Sequence, residues 1–117
     1  MNRNLAFIAT AIFVLLSCQA CSGNVFPTGT FFGGDWALEF HADGTFVSAG
    51  PSFGSEYGTY TVRGDRVVIT DDWCGTVKGS YTWLTWWFFG DNLRFYALDD
   101  PCTFRKDIFT GGTWEKR

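Results

Sequence analysis

The sequence predicts an all-β fold, a small antiparallel up-and-down β-barrel of about seven or eight strands behind an N-terminal leader. Three observations carry this expectation. Apolar and polar residues alternate with a period of two in one segment after another. Those segments are short and separated by Gly and Asp turns. No stretch after the leader has a convincing helical period. Short connections favour sheet neighbours that are also sequence neighbours, and closing the sheet removes edges that aromatic strands would otherwise expose.

The leader comes first. Met1 to Asn4 carry a positive charge at Arg3, Leu5 to Leu16 are almost wholly apolar, and Ser17-Cys18-Gln19-Ala20-Cys21 follows with small residues. That order reads as a secretory signal peptide over residues 1–20, and its apolar run is short of the roughly 20 residues that cross a bilayer. A Gly, Pro and Thr-rich linker is expected over residues 21–30, with the barrel domain over 31–117.

Within that domain, Trp36, Leu38 and Phe40 point one way and Ala37, Glu39 and His41 the other. Asp43-Gly44 makes a tight turn, and Thr45 to Ala49 returns as the second arm of a hairpin. Gly50 to Ser55 is a loop by composition. Gly58, Tyr60 and Val62 alternate with Thr59, Thr61 and Arg63; Gly64-Asp65 turns the chain into a strand from Arg66 to Thr70. Asp71 to Gly79 is a polar connection holding Cys74. Ser80 to Thr85 resumes the alternation with Tyr81 and Trp83 on one face, Gly90-Asp91-Asn92 turns, and Leu93, Phe95 and Ala97 alternate with Arg94, Tyr96 and Leu98. Pro101 ends that strand, since proline cannot donate to a ladder. One or two final strands are expected from about Arg105 to Lys116.

Composition narrows the function classes. The net charge is -3 and none of the nine basic residues sits in a run, which argues against nucleic acid. Six Trp and an aromatic fraction of 20% allow a short chain to build a sizeable core. Export places the cysteines in an oxidising compartment, where Cys74 and Cys102 are the expected disulfide; a pair so far apart without a CxxC or His partner is a poor metal site.

Leu15-Leu16-Ser17-Cys18 resembles the lipobox of bacterial lipoproteins, in which the cysteine is lipid-modified. That resemblance implies a membrane-anchored lipoprotein of the cell envelope, the alternative being plain secretion. The lipobox pattern favours Cys18 for the lipid, whereas pairing parity favours Cys21. The mature chain in turn resembles the lipocalin-like group of calycin barrels. The residues that carry this are Gly34-Asp35-Trp36 opening the first strand, Phe40-His41-Ala42-Asp43-Gly44-Thr45-Phe46, Gly58-Thr59-Tyr60-Thr61-Val62, Gly64-Asp65, Tyr81-Thr82-Trp83 and Leu98-Asp99-Asp100-Pro101-Cys102. The resemblance implies that Trp36 closes one end of the barrel with an arginine packed across it. Arg105 is the candidate and Arg117 its rival. The chain is short for that family, so its barrel is either a cup or filled by its own side chains.

Trp83 to Phe89, reading Trp-Leu-Thr-Trp-Trp-Phe-Phe, breaks the alternation because both faces would be apolar. Trp83, Trp86, Trp87, Phe88 and Phe89 are therefore the candidate ligand or interface residues, for a small apolar or aromatic ligand, a partner or a lipid surface. Core packing is the competing reading. His41 is the only histidine and is expected to be an exposed strand residue. Asp71-Asp72 and Asp99-Asp100 flank the two cysteines, so a disulfide would gather four carboxylates. Calcium is one reading; turn-capping, or a contact of Asp99 or Asp100 with Arg105, is the simpler one. Tyr57, Tyr60, Tyr81 and Tyr96 are candidates either to line a cavity or to pack in the core with hydroxyls at the rim. No nucleophile, base and orienting group can be assembled, so an enzyme is not expected, nor a catalytic residue, metal or cofactor. The expectation is an exported, lipid-anchored barrel that binds a small apolar ligand at its mouth, or else an envelope interaction protein that uses an aromatic hairpin.

Overall fold

The computed structural model describes residues 25–86 and 91–117. The expected signal peptide, Cys18, Cys21, Trp87, Phe88 and Phe89 lie outside the described residues.

Eight strands form a closed antiparallel barrel in simple sequence order. They are β1 (Gly29–Gly33), β2 (Trp36–Phe40), β3 (Thr45–Gly50), β4 (Gly54–Arg63), β5 (Arg66–Asp71), β6 (Gly79–Trp86), β7 (Asn92–Asp99) and β8 (Trp114–Lys116). The expected alternation is what buries the wall: Leu38 and Phe40 on β2, Phe46 on β3, Val67 and Ile69 on β5, Tyr81 on β6, and Leu93 and Phe95 on β7 all face the interior. The Asp43-Gly44 turn works because Gly44 takes a positive φ of 90°, closed by the Gly44 N–H donating to His41 O.

Two parts of the chain differ from the sequence expectation. β1 begins at Gly29, and Phe26 is already buried, so the barrel reaches back into the segment expected as linker. Trp36 consequently opens the second strand rather than the first. β1 pairs with β2 along its length and with the three-residue β8, which closes the barrel through Phe31–Lys116 and Phe32–Glu115. Between β7 and β8, where further strand was expected, the chain forms a helix, α1 (Thr103–Thr110). Its buried face is Arg105 and Phe109, one turn apart. An arginine on the buried face erases the apolar repeat by which an eight-residue helix would be recognised.

An up-and-down barrel has two ends, and its connections alternate between them. One end, here the helix end, carries the β1–β2 turn, the β3–β4 and β5–β6 connections and α1. The opposite end carries the turns β2–β3 and β4–β5 and the entry of the chain at Val25. Each end is stopped by a phenylalanine. Phe26 enters from the opposite end and packs on Phe40, Tyr60 and Trp83 at centroid distances of 5.0, 5.1 and 5.1 Å. Phe109 enters from the helix end and packs on Phe95 at 5.0 Å and Tyr81 at 5.5 Å. Phe26 and Phe109 both reach Phe95, so aromatic rings run continuously along the bore. Each buried phenylalanine stabilises the fold by about 1.5–3 kcal/mol relative to exposure.

Candidate functional site

The helix end is built around a buried ion cluster. Arg105 is wholly buried, and its Nε and Nη2 donate to Asp100 Oδ2 and Oδ1, both at 2.8 Å, as a two-pronged pair. Nη2 also donates to Val77 O at 3.0 Å, and Nη1 to Asp71 Oδ1 at 3.4 Å. The Tyr81 hydroxyl donates to Asp100 Oδ2, and the Cys102 N–H to Asp100 Oδ1. Gly79 is required here, because a Cβ at that position would collide with the Asp100 carboxylate.

The two carboxylates titrate in opposite directions. Burial alone would push Asp100 up, but the bonds from Arg105, Tyr81 and Cys102 outweigh it and hold the group below the usual carboxylate range. Burial wins at Asp71, which is pushed up although Arg105 opposes the shift; its Oδ2 is buried with no hydrogen-bond partner. Burial would lower Arg105, yet its bonds and charge pairing with Asp100, then Asp71, raise it. Tyr81 is pushed up by burial and by Asp100.

A disulfide between Cys74 and Cys102, with Cα atoms 6.0 Å apart, ties the β5–β6 connection to the start of α1. Of the acidic residues near it, Asp71 and Asp100 go to Arg105. Among the described residues no group of three or more Asp, Glu, His or Cys is placed to hold a metal ion.

Over this cluster lies a roof of aromatic rings from four separate parts of the chain. Trp36 stacks on Phe53 at 5.6 Å and meets Trp73 and Phe104 edge-on at 5.5 and 6.1 Å. Phe104 also touches Phe53 and Trp73. Phe53 and Phe104 remain 53% and 42% exposed, so the roof is open to a ligand. Beside it a groove of about 420 Å³ runs between α1 and the β1–β2 turn, walled by Trp36, Phe104 and Ile108, floored by Gly33 and Trp114, with Asp107 on its edge. Phe104, Asp107, Ile108 and Gly111 are spaced as one helix face, which is why they line it together. A wider hollow of about 540 Å³, by His41, Val47, Tyr57 and Asp72, lies on the outer wall across β3 and β4.

The sequence candidates scatter around this arrangement. Trp36 stands in the aromatic roof, half-buried. Arg105 directs its donors to carboxylates, and the rings against Trp36 are those of Phe53, Trp73 and Phe104. The rival Arg117 sits over the Phe32 ring at 4.9 Å. Strand alternation continues through β6 to its end, so Trp83 and Trp86 lie on opposite faces. Trp83 packs on Phe26 in the core, while Trp86 is on the outer wall with exposed Leu84, Tyr96 and Leu98. The tyrosines divide likewise: Tyr81 is in the core, Tyr60 donates to His41 O at the opposite end, and Tyr57 and Tyr96 face solvent. His41, half-exposed, contacts Glu39 at 3.1 Å and Thr45 Oγ1 at 2.9 Å.

The aromatic roof escapes sequence reasoning because Trp36, Phe53, Trp73 and Phe104 share no local motif. Only the barrel's alternation of ends brings them together. Comparison with known protein families, curated proteins and solved structures found no match.

Proposed function

We propose that this chain is an exported, lipid-anchored, lipocalin-like binding protein that takes a small apolar or aromatic ligand in the groove at the helix end, and not inside the bore. The observation that carries this reading is that Phe26 and Phe109 stop both ends of the barrel, whereas the rings of Trp36 and Phe104 are left partly open beside a hollow of about 420 Å³. That volume is in the range of small-molecule sites, which are mostly apolar with a few polar groups. Anchoring through Cys18 or Cys21 fits the same geometry. At most six residues would separate the lipidated cysteine from Val25, a reach of roughly 25 Å, which keeps the opposite end near the bilayer and turns the groove away from it.

The test is a titration of ligand-free mature protein with a panel of small aromatic and aliphatic compounds, followed by tryptophan emission. Binding that shifts the emission and is weakened by Phe104→Ala supports the reading. A panel without any response, or equal binding by Phe104→Ala, overturns it.

A second reading rests on a different observation. Leu84, Trp86, Tyr96 and Leu98 are 38–52% exposed on the outer face of β6 and β7. Such a stripe suits docking on an envelope protein or the bilayer surface. Under this reading Trp86→Ser reduces capture of envelope partners or binding to lipid vesicles. Unchanged capture and vesicle binding would remove it.

A further inference from the structure

We infer that the helix-end groove recognises a small organic cation, an alkylammonium or quaternary ammonium group carried on an apolar or aromatic body. The inference rests on the groove being the ligand site and deepens that reading by naming the chemistry.

Asp107 is the first observation. It is the one charged side chain lining the groove, and among the described residues it takes part in no ion pair. Its position in α1 is also against the helix. Asp107 stands in the last turn, where backbone carbonyls concentrate partial negative charge and cations are the favoured residues, yet that turn holds no basic residue. An acidic group there destabilises the helix it belongs to. A residue that breaks a local rule without a local compensation is a candidate for function, and a cation in the groove would answer both the carboxylate and the helix terminus.

The walls supply the second observation. Trp36 and Phe104 meet at 77°, forming a corner of two rings, and the electron-rich face of an aromatic ring attracts a cation. An ammonium group set in that corner would lie against the Phe104 and Trp36 rings and the Asp107 edge, with its organic body along Ile108 and the groove floor. No lysine or arginine lines the groove, so an anionic head would find no partner.

The surrounding charge agrees. The loops and helix of this end expose Asp35, Asp72, Asp99 and Asp107 against Lys78 and a half-buried Lys106, a field that concentrates cations. The groove's volume of about 420 Å³ accommodates a small molecule and not a folded partner.

The test uses the full mature chain, titrated with benzyltrimethylammonium and with its neutral carbon isostere neopentylbenzene, by calorimetry and tryptophan emission. The cation is expected to bind about five-fold or more tightly than the isostere, with a preference that shrinks as salt rises. Asp107→Asn is expected to shrink that preference, leaving the part owed to the rings, while raising the thermal midpoint slightly, since it removes a charge that opposes the helix end. Equal affinity for the two probes, or an unchanged preference in Asp107→Asn, overturns the cation inference and leaves the groove itself standing as a ligand site. Failure of both probes to bind overturns both.

Discussion

Replacing Arg105 by methionine tests the ion cluster that holds the helix end together. The side chain is 0% exposed and makes four hydrogen bonds: two to Asp100, one to Asp71 and one to the Val77 carbonyl. Methionine fills much of the volume but strands the carboxylates of Asp71 and Asp100 without their cation. Removing one partner of a buried ion pair costs about 3–5 kcal/mol. In a domain of this size each kcal/mol moves the thermal midpoint by about 4–8 °C, so a fall of at least about 12 °C is expected. The two carboxylates are not equivalent. Asp100→Asn removes a charge that Arg105 grips with two bonds and should cost about 2 kcal/mol or more. Asp71→Asn removes a charge whose burial outweighs its pairing, and should stay within about 1 kcal/mol of the parent near neutral pH.

The pH dependence follows from the same directions. Asp100 is lowered in the folded state, so its contribution is present above the unfolded carboxylate value of about 4 and is lost as pH falls through the depressed value. Asp71 is raised, so its contribution is full below about 4 and is lost as pH rises through the raised value. Asp71→Asn should therefore flatten the decline on the neutral side, and Asp100→Asn should reduce the loss of stability in acid. Urea unfolding of the disulfide-intact chain, followed by tryptophan emission from about pH 3 to pH 8, measures both. Arg105→Met within about 1 kcal/mol of the parent, or Asp71→Asn as damaging as Asp100→Asn, would deny the ion cluster this role.

Further expectations concern the elements around this cluster. Reducing the Cys74–Cys102 bridge, which closes a separation of 28 residues, should cost about 3–4 kcal/mol in urea unfolding; a loss below about 1 kcal/mol would deny the bridge a stabilising role. Phe26→Ala should destabilise by about 3–5 kcal/mol and open the end opposite the helix to a hydrophobic dye, whereas a tolerated change would show that Phe26 is no stopper. Gly79→Ala should mimic part of the Arg105→Met loss by pushing on Asp100, a comparison that the same unfolding curves make.

Much of the barrel is legible in the sequence because its strands are amphipathic and its turns are marked by Gly and Asp. β2, β6 and β7 show period-two alternation in the sequence, and it groups Leu38 with Phe40 and Leu93 with Phe95 on faces that the structure buries. β1 is harder to see, since Gly29 to Gly33 is short, glycine-flanked and defined by partners at both ends of the chain. α1 is harder still: eight residues carry too few turns for a periodic signal, and its inward positions are one arginine and one phenylalanine. Tertiary bonds to Asp100 and Asp71 hold Arg105 inside, and these are invisible locally. The sequence leaves Asp99 and Asp100 both open as partners of Arg105; the structure selects Asp100, and Asp71 joins only through the barrel's register. The same limit applies to the site. Trp83 to Phe89 stands out as a contiguous apolar run, yet its described portion divides between core and outer wall. Trp36, Phe53, Trp73 and Phe104 are separated along the chain and assemble only when the connections at the helix end converge.

Chemical-shift mapping of the protein with benzyltrimethylammonium shows directly whether the helix-end groove holds the ligand. Perturbations are expected at Gly33–Trp36 and Phe104–Trp114 only, with the amides of Phe26, Phe40 and Phe95 unmoved. Shifts centred on Phe26, Phe40 and Trp83 would place the ligand inside the bore and contradict the groove as its site.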